Sequence, residues 1–205
     1  MKLLQEELKM KGLDCAIFAT YEKVNPNLFY LTGYTGAGFL GVTATDIILH
    51  VPSRDFFEAK QIKGVRVFNG KKLSEMIKER GISTKKVGID FANISVADFN
   101  NLKEKLGCEF VDLTEFMNKV RVIKRKDEID LIRNACLITD LILAKFVKNF
   151  RKFKTEKEAS AFLVYEATKL AEGVSFEPIV ASGANAAIPH HKSLDIMNNG
   201  FCVVD

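Results

Sequence analysis

The sequence predicts an α/β (α+β) protein: a mixed-sheet domain in its first part and, behind a long helix, the beginning of a second unit. Three observations carry this reading. Short apolar runs alternate with helical patterns between Cys15 and Asp112. Apolar residues then recur every three or four positions from Ile129 to Phe150. Behind that stripe, the runs Ile179-Val180-Ala181 and Phe201-Cys202-Val203-Val204 flank a stretch rich in turn residues.

Taken in order, the elements begin with a helix over residues 1–11, where Leu3, Leu4, Leu8 and Met10 stand among charges and Gly12 sits at the cap position. Cys15 to Ala19 is unbroken apolar sequence, which suits a strand buried on both faces. Asn25-Pro26-Asn27 interrupts it, and Leu28 to Gly33 is read as the strand resuming. Val42-Thr43 and Ile47 to Val51 frame a hairpin around Ala44-Thr45-Asp46. A short helix is expected from Asp55 to Gln61, a strand over Val65 to Phe68, and a helix from Lys71 to Arg80 closed by Gly81. Lys86 to Asp90 is another strand. Ser95 caps a helix through Lys105 with Phe99, Leu102 and Leu106 inward, and Cys108 to Asp112 is the last strand of this half.

Leu113 to Arg125 reads as a basic joint, which sets the expected domains at 1–118 and 119–205. The helix after it carries one stripe through Ile129, Ile132, Cys136, Thr139, Leu143, Phe146 and Phe150, and a second apolar face through Leu131, Leu137, Ile138, Leu141 and Ile142. A helix apolar on two sides is expected to pack on both. Thr155-Glu156-Lys157-Glu158 is a capping box that opens the next helix, which Gly173 ends.

Composition excludes several classes. With 205 residues and 47% apolar content the chain can bury a substantial core. No run of about twenty apolar residues occurs, and the N-terminus leads into a charged helix, so no membrane association and a cytoplasmic location are expected. Cys15, Cys108, Cys136 and Cys202 form no C-x-x-C pair and are expected as buried free thiols. The net charge of +4 is mild. Lys119, Arg121, Lys124, Arg125 and Lys126 cluster, but no aromatic residue interleaves with them as a nucleic-acid stacking platform would need. Gly36 to Gly41 satisfies G-x-G-x-x-G, yet strand and turn residues follow instead of the helix that a dinucleotide site requires.

The chemistry is expected at the end of the chain. Ile179 to Gly183 reads as a strand running into a turn, Pro189 is followed by His190 and His191, and the last apolar run delivers Asp205. Two imidazoles and a carboxylate near strand ends make a candidate site, because a rigid sheet holds ligands and acid or base groups in fixed geometry. Turn and loop roles for the same residues are the competing reading.

Ser175 to His191, S-F-E-P-I-V-A-S-G-A-N-A-A-I-P-H-H, resembles the creatinase/Xaa-Pro peptidase family, which includes prolidase and aminopeptidase P. Asn27-Leu28-Phe29-Tyr30-Leu31-Thr32-Gly33 is similar to an element of that family's N-terminal domain, and Arg121-Val122-Ile123-Lys124 before a long helix is again its phrasing. The resemblance implies a creatinase/prolidase N-terminal mixed-sheet domain followed by the first, incomplete part of a pita-bread catalytic domain. It implies hydrolysis of the bond before proline in dipeptides or longer peptides, by two divalent metal ions (Mn, Co or Zn) held by two Asp, one His and two Glu.

Asp205 matches the first of those ligands, and the others are absent, so the chain is expected to be an N-terminal portion that is inactive and binds no metal tightly by itself. His190, directly behind Pro189, matches the family's substrate-side histidine and is the expected catalytic residue. His191 is expected to support substrate binding beside it, although the stretch from His190 to Asp205 is shorter than the family's usual spacing. A homodimer is implied as well. The alternative is a pita-bread scaffold without catalysis that binds protein or nucleic acid.

Overall fold

The computed structural model describes residues 2–21, 23–69, 83–193 and 196–205. The chain divides into two compact units, Met1–Ile123 and Lys124–Asp205. The helix expected at Lys71 to Arg80 lies outside the described residues.

In the first unit, six strands form one sheet: β1 (Cys15–Thr20), β2 (Gly38–Thr43), β3 (Ile47–Val51), β4 (Arg66–Asn69), β5 (Lys86–Ile89) and β6 (Glu109–Asp112). Their order is β4-β3-β2-β1-β5-β6. β1 runs antiparallel to β2 and parallel to β5, so the sheet is mixed. Every residue of β1 is buried. Its side chains alternate between two cores. Ala16 and Phe18 face Leu4, Leu8, Leu28, Leu113 and Met117, whereas Cys15 and Ile17 face Val87, Ile89 and Leu102. The first core holds residues of α1 (Lys2–Met10), α2 (Pro26–Thr32) and α5 (Thr114–Val122); the second is closed by α4 (Val96–Leu106). A short helix, α3 (Phe56–Ala59), joins β3 to β4.

Three expectations change. Leu28 to Thr32 is helix, not strand: Asn25 Oδ1 accepts from the Asn27 and Leu28 amides at 2.9 and 3.0 Å, and Pro26 sits in the first turn. Gly33 closes that helix in the left-handed region at φ 74°. The basic joint is also more structured than its composition suggests. Leu113 and Met117 are fully buried, and α5 crosses position 118 while belonging wholly to the first unit. Of the four cysteines, all free, only Cys15 is buried, and Cys136 is exposed. The glycine-rich Gly36 to Gly41 runs into β2, as expected for a sequence that opens no helix.

The second unit holds α6 (Lys126–Asn149), α7 (Glu156–Leu170) and a hairpin of β7 (Val180–Ser182) with β8 (Cys202–Val204). Ile142 and Phe146 of α6 pack on Ala159, Leu163 and Ala167 of α7 and on Val180. Phe153 stacks on Phe146 with ring centroids 5.4 Å apart. The expectation that α6 packs on both apolar faces is corrected: Leu131, Leu137 and Leu141 of the second face are exposed, and so are Ile129, Ile132 and Leu143 of the first. Among the described residues no helix is long and apolar enough to cross a membrane.

Candidate functional site

The site is built on the end of β7. Ser182 is the last residue of the strand, and Gly183 turns the chain at φ +57° into a 3-10 turn, Gly183–Ala187. A Cβ at Gly183 would stand 2.8 Å from Asn198 Cβ, so both the backbone conformation and the space require glycine. Across the hairpin Ser182 pairs with Cys202 and Val180 with Val204.

Glu156 organises this corner. It is the first residue of α7, behind the Thr155 cap whose hydroxyl accepts from the Glu158 amide at 3.1 Å. Its side chain is fully buried. Oε1 accepts from the Ser182 amide at 2.7 Å, the Ser182 hydroxyl at 2.8 Å and Asn185 Nδ2 at 3.1 Å. Oε2 lies 2.7 Å from His191 Nε2. Burial alone would raise the pKa of this carboxyl, but those bonds to its ionised form outweigh it and bring the pKa down to about 2. An ionised carboxylate only accepts, so at neutral pH Nε2 of His191 carries the proton. The Ser182 hydroxyl also accepts from the Asn198 amide at 2.8 Å, which ties both sides of the hairpin to the same carboxylate.

The residues expected to act are placed differently from one another. His191 is held against Glu156 with its side chain 11% exposed. His190 is exposed and has φ +56°, the one non-glycine residue with positive φ among the described residues. Asp205 is exposed at the other end of the hairpin, where its backbone exchanges hydrogen bonds with Ile179 at 2.8 and 2.9 Å. By strand rise, the backbones at Ser182 and Ile179 are about 10 Å apart, so the histidine corner and Asp205 stand at opposite ends of the short hairpin. His50 belongs to β3 in the first unit. A cavity of about 920 Å³ in that unit is lined by Tyr21, Phe39, His50 and Asp98 among others, and none of the expected site residues lines it.

The fit to a metal is decided by the donor set. Among the described residues no three His, Cys, Asp or Glu side chains are grouped so as to hold an ion. Two adjacent dications need several carboxylates around them, so the residues present do not make a dinuclear site by themselves. Sequence reading missed Glu156. Its place in the capping box was visible, but its buried partners lie 26 to 35 residues further along the chain.

Comparison with known proteins agrees with this architecture. Residues 1–123 match the creatinase/prolidase N-terminal domain, and residues 130–205 match metallopeptidase family M24. The Xaa-Pro dipeptidase of Pyrococcus horikoshii is 29% identical over the whole chain, and that of Pyrococcus furiosus is 32% identical over 87% of it. The chain spans 58% and 53% of the lengths of these relatives. Among solved structures, a prolidase from Pyrococcus furiosus superposes with a TM-score of 0.84 at 28% identity, covering 98% of this chain and 63% of that one. An X-Pro aminopeptidase from Thermotoga maritima gives 0.80 at 26% identity, covering 97% and 59%. The first match ends at Ile123, the last residue of the first compact unit, and the chain belongs to the creatinase/prolidase family.

Proposed function

We propose that this chain is the N-terminal portion of a metal-dependent Xaa-Pro dipeptidase or aminopeptidase that hydrolyses the bond before proline in dipeptides or longer peptides. The observation that carries this is the corner at the end of β7, where a buried carboxylate ties the strand, the turn behind it and the segment Pro189-His190-His191 together in a chain of this family. Two divalent ions, Mn, Co or Zn, belong to the longer polypeptide in this reading, with Asp205 as the first ligand and a second Asp, a His and two Glu from outside the chain. His190, exposed behind Pro189, donates a hydrogen bond or proton to the substrate amide. His191 supports it. The active form is a homodimer located in the cytoplasm. The 205 residues alone turn over no substrate and hold no metal tightly.

The test compares Asp205→Ala and His190→Ala in the full-length enzyme, measuring metal content by elemental analysis and hydrolysis of Ala-Pro and Ala-Pro-Ala. Asp205→Ala should lose metal and activity together. His190→Ala should keep its metal and lose about 10²–10⁴ in kcat, the scale for a positioned acid or base. Metal loss in His190→Ala, or turnover by the isolated 205 residues, would refute these assignments.

A further inference from the structure

We infer that Glu156 is a positioning residue for His190 and acts on it through His191. This rests on the peptidase reading for its consequence, while its geometry stands without it. His190 adopts a left-handed backbone conformation that L side chains keep only where their surroundings hold them to it. The restraint on either side of it runs to the same carboxylate. On the N-terminal side, Asn185 is bonded to Glu156 Oε1, and the Ile188 amide is bonded to the Asn185 carbonyl at 2.9 Å. On the C-terminal side, His191 is bonded to Glu156 Oε2. Two residues further on, the Ser193 hydroxyl accepts from the Val180 amide at 2.7 Å and donates to the Val180 carbonyl at 2.9 Å, which fastens the outgoing chain to β7.

Glu156 itself cannot drift, because it is fully buried and stands at the start of α7 behind a satisfied capping box. The exposed imidazole of His190 is therefore displayed from a loop whose two ends are clamped to one oxygen each of a single side chain. His191 is an anchor in this arrangement and not a reacting group. A loosened anchor would let His190 relax to ordinary backbone angles and carry its imidazole away from the substrate. Displacements of about 1 Å in such a group cost roughly a hundredfold in rate.

The experiment has two arms. In the full-length enzyme, His191→Ala is expected to lower kcat for Ala-Pro about ten- to a hundredfold with metal content and KM little changed. His191→Gln, whose amide can place a donor where Nε2 stood, should recover most of that loss. In the 205-residue chain, nitrogen NMR of the imidazoles should show His191 protonated at Nε2 in the wild type. In Glu156→Gln the three donors on the Oε1 side keep the amide oxygen, the amide NH₂ faces His191, and the ring should switch to the Nδ1-protonated tautomer. Melting curves of each variant check that the fold survives. An undiminished kcat in His191→Ala would overturn the inference, as would a loss in His191→Gln as deep as in His191→Ala, or an unchanged tautomer in Glu156→Gln. A full-length wild type that does not hydrolyse Ala-Pro would instead sink the functional reading, and the imidazole spectrum would still decide the clamp.

Discussion

Glu156 ties acid stability to the same contacts that shape the site. Its carboxyl has a pKa of about 2 in the fold against an ordinary 4.5, so the stability it contributes is fully present above about pH 4.5 and is lost as pH falls toward 2. A shift of that size corresponds to on the order of 3 kcal/mol. Melting curves of the wild type and Glu156→Gln should differ most above pH 5 and converge as the pH is lowered to 2; a difference that stays constant over that range would show that the carboxylate charge is not what matters. Gly183→Ala is harsher, since it meets both a left-handed backbone and Asn198, and should lower the melting temperature at every pH. At this scale the sequence was partly legible. Pro189-His190-His191 and Asp205 stand out in the chain as written, because adjacent imidazoles after proline and a carboxylate closing an apolar run are local patterns. A buried carboxylate is not local: Glu156 reads like any first-turn acid of a helix until β7 and the turn behind it are folded against it.

Among the elements, the legible ones are those whose signal lies within them. The unbroken apolar run of β1, the Ser95 cap of α4 and the Thr155 box of α7 each contain their own start or burial pattern. α2 carried such a signal too, Asn25 and Pro26 ahead of an apolar run and Gly33 behind it, but the β-rich surroundings outweighed it in a reading by composition. α5 was missed for the opposite reason. Its charges advertise solvent, while Met117, the buried side chain that fixes it, is a single residue on one face. Met117→Ala should accordingly destabilise the first unit by about 2–5 kcal/mol, the range for emptying a filled core site, measured by denaturant unfolding. Limited proteolysis should cut between Ile123 and Lys126, after α5, where Ile123 is 80% exposed, and leave the first unit intact. Primary cuts inside Thr114–Val122 would mean that α5 is not docked as described.

For the molecule as a whole, the exposed apolar residues of α6 set its behaviour in solution. Phe146 and Ile142 are enclosed by α7 and the hairpin, yet Leu131, Leu137, Leu141 and Val147 on the rest of the helix are each more than half exposed. Phe201 and Ile196, 88% and 73% exposed beside the hairpin, add apolar surface in the same unit. Single exposed leucines need no explanation, but several along one helix are more than a monomer in water ordinarily leaves uncovered. The periodicity that suggested a helix packed on two sides was therefore a correct reading of the residues and an incorrect one of this chain. At about 25 cal/mol per Å² of apolar surface removed from water, covering even a few of these side chains favours association by several kcal/mol before the entropy of docking is subtracted. The 205-residue chain should thus bind a hydrophobic dye and show a sedimentation coefficient that rises with concentration. Leu131→Lys combined with Leu141→Lys should weaken both effects while leaving the melting temperature nearly unchanged, because neither side chain is in the core. A wild-type chain that sediments as a monomer at all concentrations and binds no dye would refute this expectation.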